Sequence, residues 1–274
     1  MKKIITIQDI SCIGKCSLTV ALPIISAAGI ETAIIPTTIL STHTGFKDFT
    51  FRDLSSDIPL IEKHWLKENF KFAAIYTGYL GSIKQIELVE HFINSFKTKN
   101  NFVLIDPAMA DNGKLYPGFN EEFVLKMKEL CFMGDIIVPN LTEVCLLLGI
   151  KYKKDFSIEE IKAMLNELSE KIDKVVITDI SIGNKIGIMS YDGKEFFSYF
   201  RTKIPAKYHG SGDIFASSLL GCLSNNIDFN KSLKIAIDYT WECIKETYQE
   251  NKNAYGLNFE TKIPYYIKRI KKKG

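Results

Sequence analysis

Several short stretches of this 274-residue chain carry oxygen donors or glycines at spacings that suit chemistry. Asp106 and Asp111 lie five apart in VLIDPAMADNGKLY, either as carboxylates that bind a metal or polarise a ligand or, for Asp106-Pro107 after a strand, as ordinary turn chemistry. Asn140 and Glu143 stand three apart in IIVPNLTEVCLLLG, at a strand end and in a first helical turn. A Glu there either favours the helix dipole or helps hold a hydrated magnesium, which prefers oxygen ligands. In KYHGSGDIFASSLLG, two glycines within three residues let another molecule approach the backbone closely. Asp213 follows them, at or near the start of a helix expected from about Ile214, where it also suits an ordinary N-cap. STHTGFK sets His43 and Thr44 after a strand, as a polar loop or as a pocket wall that hydrogen-bonds a small polar ring. TGYLGS puts Tyr79 between glycines, as a packed turn or as a mobile lid.

The elements that must position these residues alternate. Short β-branched runs (KIITIQD, ETAIIPTTIL, FAAIYTGYL, FVLIDP, DIIVPN, KVVITDI) are separated by helical patterns. That alternation predicts an α/β fold, doubly wound, with a mainly parallel central sheet and helices on both faces. Asp192-Gly193 between two strand-like runs predicts an antiparallel edge hairpin. Without a linker or an internal repeat, residues 1–274 read as a single domain. In such sheets ligands sit at the carboxyl ends of the strands. Asp9, Thr77-Gly78-Tyr79, Asp106 and Asn140 all follow apolar strands.

Composition excludes some classes. The net charge is +3, with no basic patch to serve nucleic acid, and KRIKKKG at the end reads as a solvated tail. No apolar run is long enough for a membrane helix. The six cysteines are scattered, with neither zinc-site spacing nor a disulfide framework, so the cytoplasm is the expected compartment. Gly14-Lys15-Cys16-Ser17 fails as a phosphate-binding loop: the required earlier glycine is Asp9, and Cys16 follows the lysine. No GxGxxG follows the first strand, which counts against a dinucleotide-binding dehydrogenase.

Taken in order, the motifs resemble those of the ribokinase-like superfamily, and within it the pyridoxal/pyridoxamine kinases of vitamin B6 salvage. The residues that carry the resemblance are TIQD (6–9), STHTG (41–45), TGYLGS (77–82), DPAMADNGKLY (106–116), VPNLTE (138–143) and HGSGDIFASSLLG (209–221). GSGD marks the superfamily, and the combination of TGYLGS, DPxMxDxGxLY and PNxxE is more specific. The resemblance implies phosphoryl transfer from ATP, with Mg2+ and a monovalent cation such as K+, to the 5′-hydroxymethyl group of a pyridine. It implies a cytoplasmic homodimer whose partners are a B6 vitamer and ATP, with no nucleic acid and no membrane.

The resemblance also implies residue roles. The backbone of Gly210, Ser211 and Gly212 forms an anion hole, and Asp213 is the base. Asp9, ending the first strand, contacts the pyridine; His43 and Thr44 line the same pocket, with Tyr79 in its neighbourhood. Asp106, Asn140 and Glu143 lie near the ATP phosphates, Glu143 serving magnesium through water, and Thr178, ending VVIT, approaches the nucleotide. Two residues depart from the pattern. Many relatives carry serine in place of Asp9, and a carboxylate there favours the protonated amine of pyridoxamine. Some carry lysine in place of Thr178. Two alternatives stand beside this reading: a hydroxymethylpyrimidine kinase of thiamine synthesis, and a non-catalytic vitamer-binding protein.

Overall fold

A computed structural model describes residues 2–250 and 255–271. In chain order come β1 (Lys3–Ile13), α1 (Leu18–Ala27), β2 (Glu31–Thr42), β3 (Phe51–Asp53), α2 (Ile58–Lys67) and β4 (Ala74–Thr77). Next are α3 (Ile83–Phe96), β5 (Phe102–Ile105), β6 (Ala110–Asp111), β7 (Lys114–Leu115), α4 (Glu121–Cys131), β8 (Ile136–Ile137), α5 (Leu141–Leu148) and α6 (Ile158–Ser169). They are followed by β9 (Lys174–Ile182), β10 (Lys185–Tyr191), β11 (Phe196–Thr202), α7 (Ser211–Ser224), α8 (Phe229–Gln249) and α9 (Ile263–Lys271). The fold is α/β, with mostly parallel strands and helices around them. The described residues fall into two compact units: those up to Tyr76 together with those from Ile204 onward, and Thr77–Lys203.

In the first unit the strand order is β4-β1-β2-β3. Ile4, Ile5 and Ile7 of β1 are fully buried although successive side chains face opposite ways, the mark of a strand covered on both faces. β1 and β2 run parallel from Lys3↔Glu31, and the register slips beside Asp9: Gln8 pairs with Pro36 but Ile10 with Ile39. β2 takes three steps where β1 takes two, which is a bulge on β2. α7 packs on α1 and α8. Gly221 of α7 leaves room for Ala28 and the Tyr266 hydroxyl, which donates to the Ser218 carbonyl at 2.7 Å. The basic end is not wholly a solvated tail. Lys268–Lys271 continue α9, and Arg269 pairs with the buried Asp238 at 2.8 Å; residues 272–274 lie outside the described set.

In the second unit the order is β11-β10-β9-β8-β5. β5, β8 and β9 run parallel, whereas β9, β10 and β11 run antiparallel. The expected hairpin forms at Asp192-Gly193: Gly193 takes φ +83°, and Asp192 Oδ1 accepts the N–H groups of Lys194 (3.0 Å) and Glu195 (2.9 Å). A second hairpin, β6–β7, turns at Asn112-Gly113, with φ +52° and +76°. Asn-Gly is the usual sequence for such a left-handed turn, although the sequence reading placed no strands there.

Candidate active site

Asp9 is not at a strand end. β1 continues to Ile13, so Asp9 sits inside the strand beside the bulge, and it is only 4% exposed. Its Oδ2 accepts the Ser11 hydroxyl at 3.2 Å, while its Oδ1 has no hydrogen-bond partner. Burial raises its pKa, and the hydroxyls of Ser17 and Ser11 offset part of that rise. Buried polar atoms nearly always find a partner. An unpartnered carboxyl oxygen marks a place that would accept an N–H or O–H from a ligand.

Asp213 lies in the first turn of α7. The helix begins at Ser211 with Gly210 as its cap, three residues earlier than expected, so Asp213 is not the cap, and no side chain caps this end. Gly210 takes φ +84°, and a β-carbon there would strike the Lys15 carbonyl, so this position requires glycine. Ile214 N–H bonds to the Gly210 carbonyl at 3.0 Å; the N–H groups before it have no partner within the helix. They sit at the positive end of the helix dipole. The backbone N–H of Ser17 lies near the Asp213 carboxyl and offsets part of the effect of burial. Burial, with a smaller push from the charge of Asp9, raises its pKa to about 6. Such a carboxylate is ionised at neutral pH and basic enough to take a proton.

His43 is buried and held by the backbone through both ring nitrogens. Gly45 N–H donates to Nδ1 at 3.0 Å, so the ring proton sits on Nε2, which contacts the Tyr255 carbonyl at 2.9 Å. Neither nitrogen is left to bond a polar ring, which leaves its carbons as pocket wall. Burial, then the neighbouring His209, lowers its pKa. The exposed His209 lies against it, ring centroids 4.6 Å apart and planes tilted by 36°, and Thr44 is exposed beside it.

The second unit gathers Asn140, Glu143 and Thr178. Asn140 caps α5: its Oδ1 accepts the N–H groups of Thr142 (2.8 Å) and Glu143 (3.0 Å), and its Nδ2 donates to the Ala110 carbonyl (2.8 Å). Glu143 Oε2 accepts the Asn140 N–H (2.8 Å), completing a capping box. Its Oε1 accepts the N–H groups of Met109 (3.1 Å) and Ala110 (3.4 Å). Glu143 is 2% exposed, and burial pushes its pKa up to about 8 against those three donors. Thr178 bridges Asn140, inside β9 rather than at its end, with its N–H on the Pro139 carbonyl at 2.9 Å. Asp106 is buried just past β5, with its N–H on the Thr77 carbonyl at 2.9 Å. Tyr79 stacks on Phe119 (5.8 Å), which stacks on Phe123 of α4 (3.8 Å), so it is packed in place. Among the described residues no group of three or more His, Cys, Asp or Glu side chains could hold a metal ion. Magnesium that keeps most of its waters needs only one or two carboxylates, and Asp106 and Glu143 are of that kind.

Ser11 and Ser17 lie beside the Asp9 carboxyl, and the Lys15 carbonyl lies against Gly210, positions that no motif in the sequence singles out. The signal for Ser11 was present: a polar residue two along from Asp9 shares its strand face.

A family model, phosphomethylpyrimidine kinase, matches residues 29–258. A solved Bacteroides thetaiotaomicron structure, ascribed to the phosphomethylpyrimidine kinases and crystallised with pyridoxal, is 35% identical at a TM-score of 0.93 and covers 97% of this chain and 96% of its own. Pyridoxal kinase from Lactobacillus plantarum is 26% identical at a TM-score of 0.91, covering 98% and 97%. Pyridoxal kinase from Dictyostelium discoideum is 28% identical over 274 aligned residues, covering 92% of this chain and 88% of that one.

Proposed function

Because the chain belongs to the phosphomethylpyrimidine kinase family, and is an enzyme that phosphorylates alcohol groups, we propose that it transfers a phosphoryl group from ATP to the 5′-hydroxymethyl of pyridoxamine, pyridoxal and pyridoxine, acting as one kinase domain. The observation that carries this reading is Asp213 in the first turn of α7, set beside the uncapped N–H groups that begin the helix.

Phosphoryl transfer asks the protein for positioning and charge stabilisation rather than covalent help. Asp213 accepts the hydroxyl proton as the oxygen attacks the γ-phosphorus. The N–H groups of Gly210, Ser211 and Gly212 take the charge gathering on the γ-phosphate oxygens. Asp9 Oδ1 accepts an N–H of the vitamer, and His43 and Thr44 contact its ring. Asp106, Asn140, Glu143 and Thr178 serve ATP. Asp106 and Glu143 would hold magnesium, Glu143 through water, and the ion would neutralise phosphate charge.

The test is ATP-dependent phosphorylation of the three vitamers by the purified protein, with Asp213→Asn as control. The variant keeps the shape and removes the base, so turnover should fall at least about 100-fold, the low end of a general-base contribution. Near-wild-type turnover by the variant would end the assignment. The name of the matched family favours a second reading, hydroxymethylpyrimidine kinase, so that pyrimidine belongs in the same assay. Its phosphorylation alone would move the enzyme to thiamine synthesis.

A further inference from the structure

The Gly14-Lys15-Cys16-Ser17 turn, which fails as a phosphate loop, meets the turn that begins α7 at two points. The Lys15 carbonyl occupies the space a β-carbon on Gly210 would need. The backbone N–H of Ser17 lies near the Asp213 carboxyl and favours its ionised form. Both contacts belong to one short stretch of backbone, so whatever fixes that stretch fixes the base.

We propose that the Gly14–Ser17 turn positions Asp213 for proton transfer, and that Lys15 is the residue that anchors this turn. Lys15 Nζ bonds to Asn258 Oδ1 at 2.7 Å and Glu260 Oε2 at 2.9 Å. Its backbone bridges Gly256, where a β-carbon would come within 2.5 Å of Lys15 Cβ. Gly14 lies against the ring of His43, whose Nε2 bonds to the neighbouring Tyr255 carbonyl. The Thr19 hydroxyl fixes the other end, on the carbonyls of Gly14 (3.1 Å) and Cys16 (2.7 Å).

The turn needs such fastening because of Ser17. It holds φ +51° with ψ −133°, a conformation side-chain-bearing residues rarely adopt. Strain of this kind persists only where the surroundings over-determine it, and it clusters at functional sites. At Ser17 it holds the N–H near Asp213. Without the Lys15 anchor the turn relaxes and that N–H swings away. The base is then misplaced, and its carboxylate loses a donor that favours the ionised form. The titratable groups facing Asp213 are the Asp9 carboxyl from β1 and the Cys16 thiol from the turn. Neither replaces the lost donor: Asp9 repels negative charge, and the Cys16 thiol is pushed up to about 12 by burial.

This inference rests on Asp213 being the base, and the experiment separates the two. Lys15→Met, Lys15→Arg and the double variant Asn258→Ala/Glu260→Gln are assayed with vitamer and ATP across pH, beside Asp213→Asn. Lys15→Met should lower kcat about tenfold while the vitamer KM stays within about twofold, as expected of lost positioning. The acid limb of its kcat profile should move up by about half a pH unit as the carboxylate loses its donor. Lys15→Arg, which still reaches both acceptors, should recover most of the rate. If Lys15→Met does not fold, the double variant, which removes only the side-chain anchors, should show the same loss and shift. Wild-type kcat and an unmoved limb in these variants, with Asp213→Asn inactive, would overturn the positioning role and leave the base in place. A lowered melting temperature with unchanged kcat and limb would overturn it equally. An active Asp213→Asn variant would remove the base itself, and this role with it.

Discussion

Glu143 and Asp213 stand at corresponding places, each the third residue of its helix, after Asn140 in one case and Gly210 in the other. In α5 the cap has a side chain and the acid is a glutamate, long enough to reach back to the cap N–H. In α7 the cap has no side chain, and the acid is one methylene shorter and turns to Ser17. The first arrangement satisfies its end of the helix from within. The second leaves N–H groups open and a carboxylate poised near neutrality. Both are carboxylic acids near a helix start, Glu143 buried and Asp213 half-buried; what differs most is whether the hydrogen bonds are already made. A closed set holds structure together, and an open set leaves capacity for a ligand.

Three substitutions would break or sharpen this contrast. The largest effect belongs to Asp213→Asn, which should combine its loss of at least about 100-fold in turnover with a melting temperature equal to or above wild type. Removing a partly desolvated charge relieves the fold while disabling the chemistry; a marked drop in melting temperature would show that Asp213 holds the fold together instead. Next is Glu143→Gln. Its amide nitrogen cannot accept a backbone N–H, and a buried donor left unpaired costs about 1–3 kcal/mol, to be read from urea unfolding.

Glu143→Gln has a pH signature as well. Folded Glu143 keeps its proton to about pH 8, whereas the unfolded chain releases it near the ordinary carboxylate pKa of 4.5. Between those values the folded state binds more protons, so stability falls as pH rises through that window. Asp213 contributes in the same direction up to about pH 6. The fall should be shallower in Glu143→Gln; an unchanged slope would place its origin elsewhere. The smallest effect is on selectivity. Asp9→Ser removes a buried acceptor that suits a cationic amine and should lower the preference for pyridoxamine over pyridoxal about tenfold in kcat/KM, a modest part of the Coulomb energy of such a pair. An unmoved ratio would show that Asp9 takes no amine.

The sequence made the central strands and the α/β class legible because β-branched runs and helical periods are local signals. The motifs set Asn140, Glu143 and Thr178 together, and the structure places those three side by side; they did not set Asp9 beside Asp213, although the charge of one carboxylate is felt by the other. What it hid was set by distant parts of the chain. Glycines at 210 and 212 lower helix propensity, so the helix read as starting at Ile214, yet the packing of Gly210 on Lys15 begins it at Ser211. The His43 partner at Tyr255 lies 212 residues away, beyond the reach of any local pattern. Lys15 and Ser17 were set aside with a failed motif, because their value lies in what the folded chain brings against them.

The β2 bulge makes the first unit sensitive to length as well as to composition. Side chains on a strand alternate between faces, so the extra residue between Pro36 and Ile39 sets the phase of everything after it, including His43. Removing one residue there would turn Leu40 through His43 over together, carrying His43 away from Gly14 and Tyr255. Substitutions along this stretch act one side chain at a time, whereas a frame change inverts a whole wall. Variation among functional homologues should therefore run to exchanges at fixed length between Asp9 and His43.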